Sequence, residues 1–299
     1  MLSSVLIVFG CMALFGAVEH AFGLYRRPGV LTMRELGAGL VALASMLLVR
    51  AAVSGVVMWA FGAFWPGSEG ALAGVSFWIV FPLYLLVSDY GFYVLHRKSH
   101  ESAWLWWIHK PHHTPRSLNV AVTYRENWLW PLLIVDTWLA PVLVWLGHPG
   151  AYVAGLVFRA VITLMVHSEL RWDLHLQRNR FTRPVMWVIE RVITLPDVHH
   201  VHHGVGRHGN AMKNYGAALS LFDLLHGTLV IPHARQEAFG LPEGAPIEPW
   251  AEQIFWPLVR STKETADGRR PIEEGSTPAE LAAAKAVILT ADGRAVVVR

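Results

Sequence analysis

Apolar positions in this chain fall into long runs separated by short polar stretches. The runs cover residues 2–24, 36–61, 71–95, 128–146 and 151–166, with Arg50 inside the second and Arg159 inside the fifth. About 20 apolar residues cross a bilayer as a helix, so each run predicts a membrane span. The fifth is short, which leaves a re-entrant or buried helix open for it. No basic segment precedes the first run and no small-residue cleavage site follows it, so it reads as a retained span and not as a signal peptide. From about residue 262 the chain turns polar and is broken by Gly268, Pro271, Gly275 and Pro278. Residues 1–262 are therefore read as a membrane-embedded domain and 263–299 as a peripheral tail. One short helix is expected at 278–289, opened by Ser276 or Thr277 with Glu280.

The basic residues order these runs across the membrane. Arg26, Arg27 and Arg34 lie between the first two, and Arg97, Lys98, Lys110, Arg116 and Arg125 follow the third, whereas 66–70 and 147–150 hold no Lys or Arg. Cytosolic loops carry the Lys/Arg excess, so the N-terminus is expected outside and the segments 96–127 and 167–299 inside. Trp104, Trp106, Trp107, Trp128 and Trp130 stand beside the span ends, where an aromatic belt is expected. Composition agrees: 54% hydrophobic, 16% charged and a mean hydropathy of +0.37 do not suit an ordinary soluble enzyme. A soluble protein with buried core helices is the plain alternative, and five runs with consistent charge alternation speak against it. The net charge of +3 reads as a topology signal, with no nucleic-acid partner implied.

Sixteen histidines stand against one cysteine, Cys11, which excludes an intrachain disulfide, a CxxC zinc site and a cysteine-held iron–sulfur cluster. His96 and His100 are four apart, on one face of a helix; His109, His112 and His113 repeat as HxxHH, and so do His199, His202 and His203 after Pro196. Pro111 and Pro115 disturb a regular helix around the second cluster. His167 closes the fifth run, level with the clusters. These nine imidazoles are too many for one ion and suit two metals. The expected fold is thus an all-α integral membrane protein of about four to five transmembrane helices, with a cytosolic helical cap holding a histidine-rich di-metal site. Spacing alone leaves Zn, Cu, Fe and Ni open. HExxH and ExxH patterns are absent. Gly204-Val205-Gly206-Arg207-His208-Gly209 matches GxGxxG but lacks a βαβ setting, so its glycines are expected to end a helix and turn the chain. Ligands at span ends and not at the bilayer midplane disfavour a metal transporter or sensor.

Asp89-Tyr90 before His96 and His100, then His109-x-x-His112-His113, Pro196-x-x-His199-x-x-His202-His203-Gly204, Lys213-Asn214-Tyr215-Gly216 and Asp223-x-x-x-Gly227-Thr228 resemble the fatty acid hydroxylase / sterol desaturase superfamily over about 75–232. His167-Ser168-Glu169 and Asn119 are most similar to its alkylglycerol monooxygenase-like group. The resemblance implies two Fe ions that activate O2 to hydroxylate or desaturate a lipid-like substrate, with aldehyde processing as a variant on the same scaffold. Zinc in purified samples would not oppose iron, since similar ligands bind Zn more tightly. An external donor is implied, either an electron-transfer partner of the ferredoxin or cytochrome b5 type or a reduced pterin. The implied location is a bacterial inner membrane or the endoplasmic reticulum, multi-pass, with the metal site cytosolic. Asp89, Glu169, Asn214 and Asp223 are expected to orient ligating imidazoles, or else to cap and close loops. Two positions depart from the pattern. Arg171 stands where some members have a further histidine, which leaves His175 or His200 as substitutes or a site of nine protein ligands, and His226 replaces the usual Phe before Gly-Thr.

Overall fold

The computed structural model describes residues 2–260, save 28–29, 243–244 and 246. The expected tail and its helix lie outside the described residues.

Helix α1 (Leu2–Ala21) is followed by α2 (Met33–Phe64), which opens on Thr32, whose hydroxyl accepts the amide of Glu35. Ser76 caps α3 (Phe77–Glu101) in the same manner through the amide of Trp78. The third apolar run therefore becomes helical later than its pattern suggests. Its helix continues past the run's end and carries the first histidine pair with it. After one residue the chain enters α4 (Ala103–His113).

The fourth run does not form one span. Ile134 is extended (φ −73°, ψ 122°) and separates α5 (Trp130–Leu133) from α6 (Val135–Trp145), with Pro141 inside the latter. Eleven residues reach only about 16 Å, short of a hydrocarbon core of about 30 Å. The fifth run forms α7 (Pro149–Val166), a continuous helix of 18 residues. Among the described residues three helices, Met33–Phe64, Phe77–Glu101 and Pro149–Val166, are long and apolar enough to cross a membrane, and Leu6–Ala21 and Val135–Trp145 are apolar but shorter.

α2 packs on α6, α1 on α7, and α3 on both α6 and α7. Gly91 lets α3 and α6 approach closely, because a Cβ there would stand 2.6 Å from Val135. Outward positions stay apolar, with Leu48, Val56 and Trp59 on α2 and Trp78, Ile79 and Leu83 on α3 exposed. Such a continuous apolar exterior suits lipid contact.

The cap is built from α8 (Trp172–Arg178), α9 (Arg183–Val192), α10 (Pro196–His203), α11 (Leu221–Leu225) and α12 (Trp250–Phe255). Gly204 ends α10, and Gly204–Val205 pairs antiparallel with Ala238–Phe239. Gly206 turns the chain with φ +76°. The glycine-rich stretch is thus a helix stop and a turn, as its setting indicated. Tyr93 of α3 packs with Tyr215, Leu219 and Phe222, which docks these later helices on the one that carries the first histidine pair.

Candidate metal centre

Four elements deliver nine imidazoles to one place. α3 brings His96 and His100, α4 brings His109, His112 and His113, α10 brings His199, His202 and His203, and His167 caps the C-terminus of α7. They sort into two buried groups, His96, His100, His109, His113 and His202 in one and His112, His167, His199 and His203 in the other, with the nitrogens of each within 4.8 Å of one another. α4 runs through Pro111 without break. One helix hydrogen bond is lost there, yet the three imidazoles stay on the inner side.

The outer nitrogens fix which atom points inward. His96 Nδ1 donates to the Tyr215 carbonyl at 2.7 Å, His202 Nδ1 to that of Lys213 at 2.8 Å and His167 Nδ1 to that of Thr163 at 2.7 Å. Their Nε2 atoms are then lone-pair acceptors. Nε2 of His167 faces Nε2 of both His112 and His199 at 3.0 Å, and the buried Nε2 atoms of His96, His100, His202 and His203 have no partner. Acceptors turned on one another in a dry interior are unfavourable, and a shared cation relieves them. Burial, reinforced by neighbouring imidazoles, holds His109, His112, His113, His199, His202 and His203 well below the ordinary histidine range, and burial brings His167 to about 4. Neutral imidazole is the form that ligates metal. The residues present fit a two-metal centre.

A clamp in the cap holds two of the three carbonyls that receive these protons, those of Lys213 and Tyr215. The Asp223 carboxylate accepts the amides of Tyr215 (2.8 Å) and Gly216 (2.7 Å) and the hydroxyl of Thr228 (2.7 Å). Between the two receiving carbonyls, Asn214 adopts φ +58° and its side chain bonds the carbonyls of Val198 and Val230 and the amide of Val230. Gly216 admits no side chain, since a Cβ would lie 2.4 Å from the Leu219 carbonyl. Asp89 accepts the amides of Ala218 (3.1 Å) and Leu219 (2.8 Å). Asp223, Asn214 and Asp89 therefore touch the imidazoles only through backbone. Glu169 bonds Ser117 at 2.8 Å and pairs with Arg27 at 2.9 Å.

The family model described as fatty acid hydroxylase matches residues 81–228. Residues 81–228 are thus similar to the fatty acid hydroxylase family. Human alkylglycerol monooxygenase is 28% identical over 142 residues, 47% of this chain and 28% of that protein. Its Xenopus tropicalis counterpart is 26% identical over 192 residues, 60% and 36% of the two chains. Ornithine lipid hydroxylase OlsE of Rhizobium tropici is 26% identical over 221 residues, 70% and 58%. The chain thus spans less than two thirds of each of these relatives. No solved structure gives a significant match.

Within the matched residues, neither substitute for the absent histidine joins a metal group. His175 is exposed, and His200 packs its ring on Phe239 outside both groups. Arg171 has another task, pairing with Asp173 (3.0 Å) and with Asp197 (2.6 Å) in the first turn of α10. His226 stacks on Tyr93 at 4.9 Å. Trp106, Trp107 and Trp130 do not form a belt. They are buried, with Trp106 against His100 and His113 and Trp130 stacked on His109 at 4.5 Å.

Glu126 is the residue that the sequence did not single out. Its oxygens lie 3.6 Å from Nδ1 of His109 and 3.6 Å from Nδ1 of His112, and burial raises its carboxyl well above the usual range. A lone acidic residue in Tyr124-Arg125-Glu126-Asn127-Trp128, at the edge of an apolar run, was the available signal. Beside it a cavity of about 560 Å³ runs from His96, His112, His167 and His199 into the space between α2, α6 and α7.

Proposed function

We propose that this protein is a membrane monooxygenase that uses O2 and two iron ions to hydroxylate a lipid-like substrate. The observation that carries this reading is the shared wall between the two histidine groups and the apolar cavity, which four of the imidazoles line together with Phe92, Trp130 and Ala140. An alkyl chain lying there has its C–H bonds beside the histidines. The names of the relatives, all lipid monooxygenases or hydroxylases, support the same reading.

His96, His100, His109, His113 and His202 would hold one ion and His112, His167, His199 and His203 the other. The ions would supply the O2 activation that no side chain provides. The chain's own residues orient and exclude. The Tyr215, Lys213 and Thr163 carbonyls fix three rings, Glu126 stands against the outer nitrogens of two more, and Trp106 and Trp130 close the centre to water. Asp223, Asn214 and Asp89 act as positioning residues, through the backbone of 213–219. The domain is read as 1–262, and the centre as cytosolic in a multi-pass protein of a bacterial inner membrane or the endoplasmic reticulum. Electrons come from a ferredoxin, a cytochrome b5-type protein or a reduced pterin.

The test is lipid analysis of cells with and without the gene under ¹⁸O2. A lipid that gains one labelled oxygen, and loses it in His202→Ala, supports hydroxylation. A product two hydrogens lighter with no label would make the enzyme a desaturase, and identical lipid profiles would defeat the reading.

A further inference from the structure

Part-way along the cavity from the histidines its wall turns polar. Arg50 of α2, Tyr84 of α3, Asp136 of α6 and Arg159 of α7 meet there, in the apolar part of the molecule. The two oxygens of Asp136 receive the Arg50 guanidinium, the Tyr84 hydroxyl and, at 2.6 Å, the Arg159 guanidinium. Arg159 also donates to Ser88 at 2.7 Å and to Tyr84 at 2.9 Å. Asp89, also on the lining, is taken by two backbone amides. Both oxygens of Asp136 and both of Asp89 are thus already engaged.

The donors are not. A guanidinium carries five N–H groups and keeps its charge in any protein setting. Among the described residues Arg50 has one hydrogen-bond partner, Asp136, and its side chain remains 24% exposed, on the cavity. Next to Asp136, the buried Thr137 hydroxyl has no partner and faces the same space. Unmatched donors within a span are unfavourable, and ionisable residues there mark ligand pathways. The cluster as it stands needs one more acceptor, with several oxygens.

We propose that Arg50 and Thr137 form a binding site for the oxyanion of an amphiphilic lipid, a carboxylate or a phosphate, whose alkyl chain lies along the apolar lining between them and the histidines, beside Phe92, Trp130 and Ala160. That the chain ends at the histidines rests on the hydroxylase reading; the anion site does not. Arg159 precedes His167 by eight residues on α7, and Ser88, its partner, precedes His96 by eight on α3. Both intervals are about 12 Å. The acid and the carbon beside the histidines are therefore separated by a length of chain, and the carbon adjacent to the acid is out of reach.

The test measures binding without turnover. The full chain in a neutral maltoside detergent is titrated with dodecanoate, dodecyl phosphate or dodecanol, and apparent Kd is taken from the rise in Tm. The wild type should bind at least one anion about ten-fold or more tightly than the alcohol. R50Q should erase that preference, and T137V should weaken it a few-fold. Preference for dodecanoate assigns the site to a carboxylate lipid, preference for dodecyl phosphate to a phosphate lipid. Equal binding of all three probes by the wild type, or an anion preference kept in R50Q, overturns the site. Should R50Q not fold, an unchanged preference in both Arg50→Lys and T137V does so. A protein that binds the anions but makes no hydroxylated product defeats the hydroxylase reading and leaves the site standing.

Discussion

Glu126 lies 3.6 Å from Nδ1 of His109 and 3.6 Å from Nδ1 of His112, and these two rings belong to different metal groups. All three groups hold buried atoms without a hydrogen-bond partner. A carboxylate behind a ligating imidazole fixes its tautomer and raises its basicity, and losing one typically costs 10–100-fold in metal affinity or activity. Glu126→Ala should therefore weaken both sites together by about that factor, and Glu126→Gln should fall between it and the wild type. Metal analysis at limiting iron checks this. Full loading of both sites in Glu126→Ala would remove the role.

Asp223 touches no ring, yet it holds the segment whose carbonyls orient His96 and His202. Asp223→Ala strands two amides and a hydroxyl, each at about 1–3 kcal/mol. The expected result is a lower Tm in the metal-free protein and a reduced metal content, read by calorimetry and elemental analysis. A lower Tm with undiminished metal would make Asp223 a loop anchor only.

The histidines were legible because ligation imposes spacing. HxxxH and HxxHH show their faces in any helix, and the eight residues picked from them, with His167 picked from its place at the end of the fifth run, are the nine in the two groups. Positioning groups were less legible, because they act through backbone. Nothing in the spacing of Asp223 tells that its partners are the amides of Tyr215 and Gly216, or that Asp89 reaches Ala218. Glu126 was hidden for a related reason, since its two imidazoles lie 17 and 14 residues away across a loop. The fourth span misled because hydropathy sums residues and ignores the break at Ile134.

Two groups of ligands imply two metals per chain and separable losses. His202→Ala should empty the first site and His112→Ala the second, each abolishing product formation. His233, which bonds Glu190 at 3.0 Å away from both groups, should tolerate Ala with activity kept. Iron per chain near two, one, one and two, in that order starting from the wild type, is the expected series. Equal loss in all three variants would strip the clusters of special standing.

Without metal the centre should be acid-labile. In the unfolded chain these imidazoles titrate near 6.5, whereas in the fold burial depresses six of them well below that and His167 to about 4. Below pH ~6.5 the unfolded state binds more protons, so the stability present above that value is lost as pH falls toward 4. Glu126, raised by burial, opposes this as one group against seven. Tm of the chelated protein should drop steadily between pH 7 and 4. A flat profile would mean that the imidazoles are not held neutral.

The last expectation concerns sidedness. Lys98, near the end of α3, has a side chain 62% exposed, whereas Ser99 beside it is buried, so a cysteine for labelling belongs at 98. Glu69 is exposed before the start of the same helix. Twenty-five helical residues span about 37 Å, enough to separate the two positions across a bilayer. In a Cys11→Ser background, Glu69→Cys should react with an impermeant maleimide from outside and Lys98→Cys only after the membrane is opened. Reaction of both from one side would mean that α3 does not cross. His96 and His100 lie in the last turns of α3, so the cytosolic placement of the whole centre depends on that crossing, and a reducing partner on that side would then have to be abandoned.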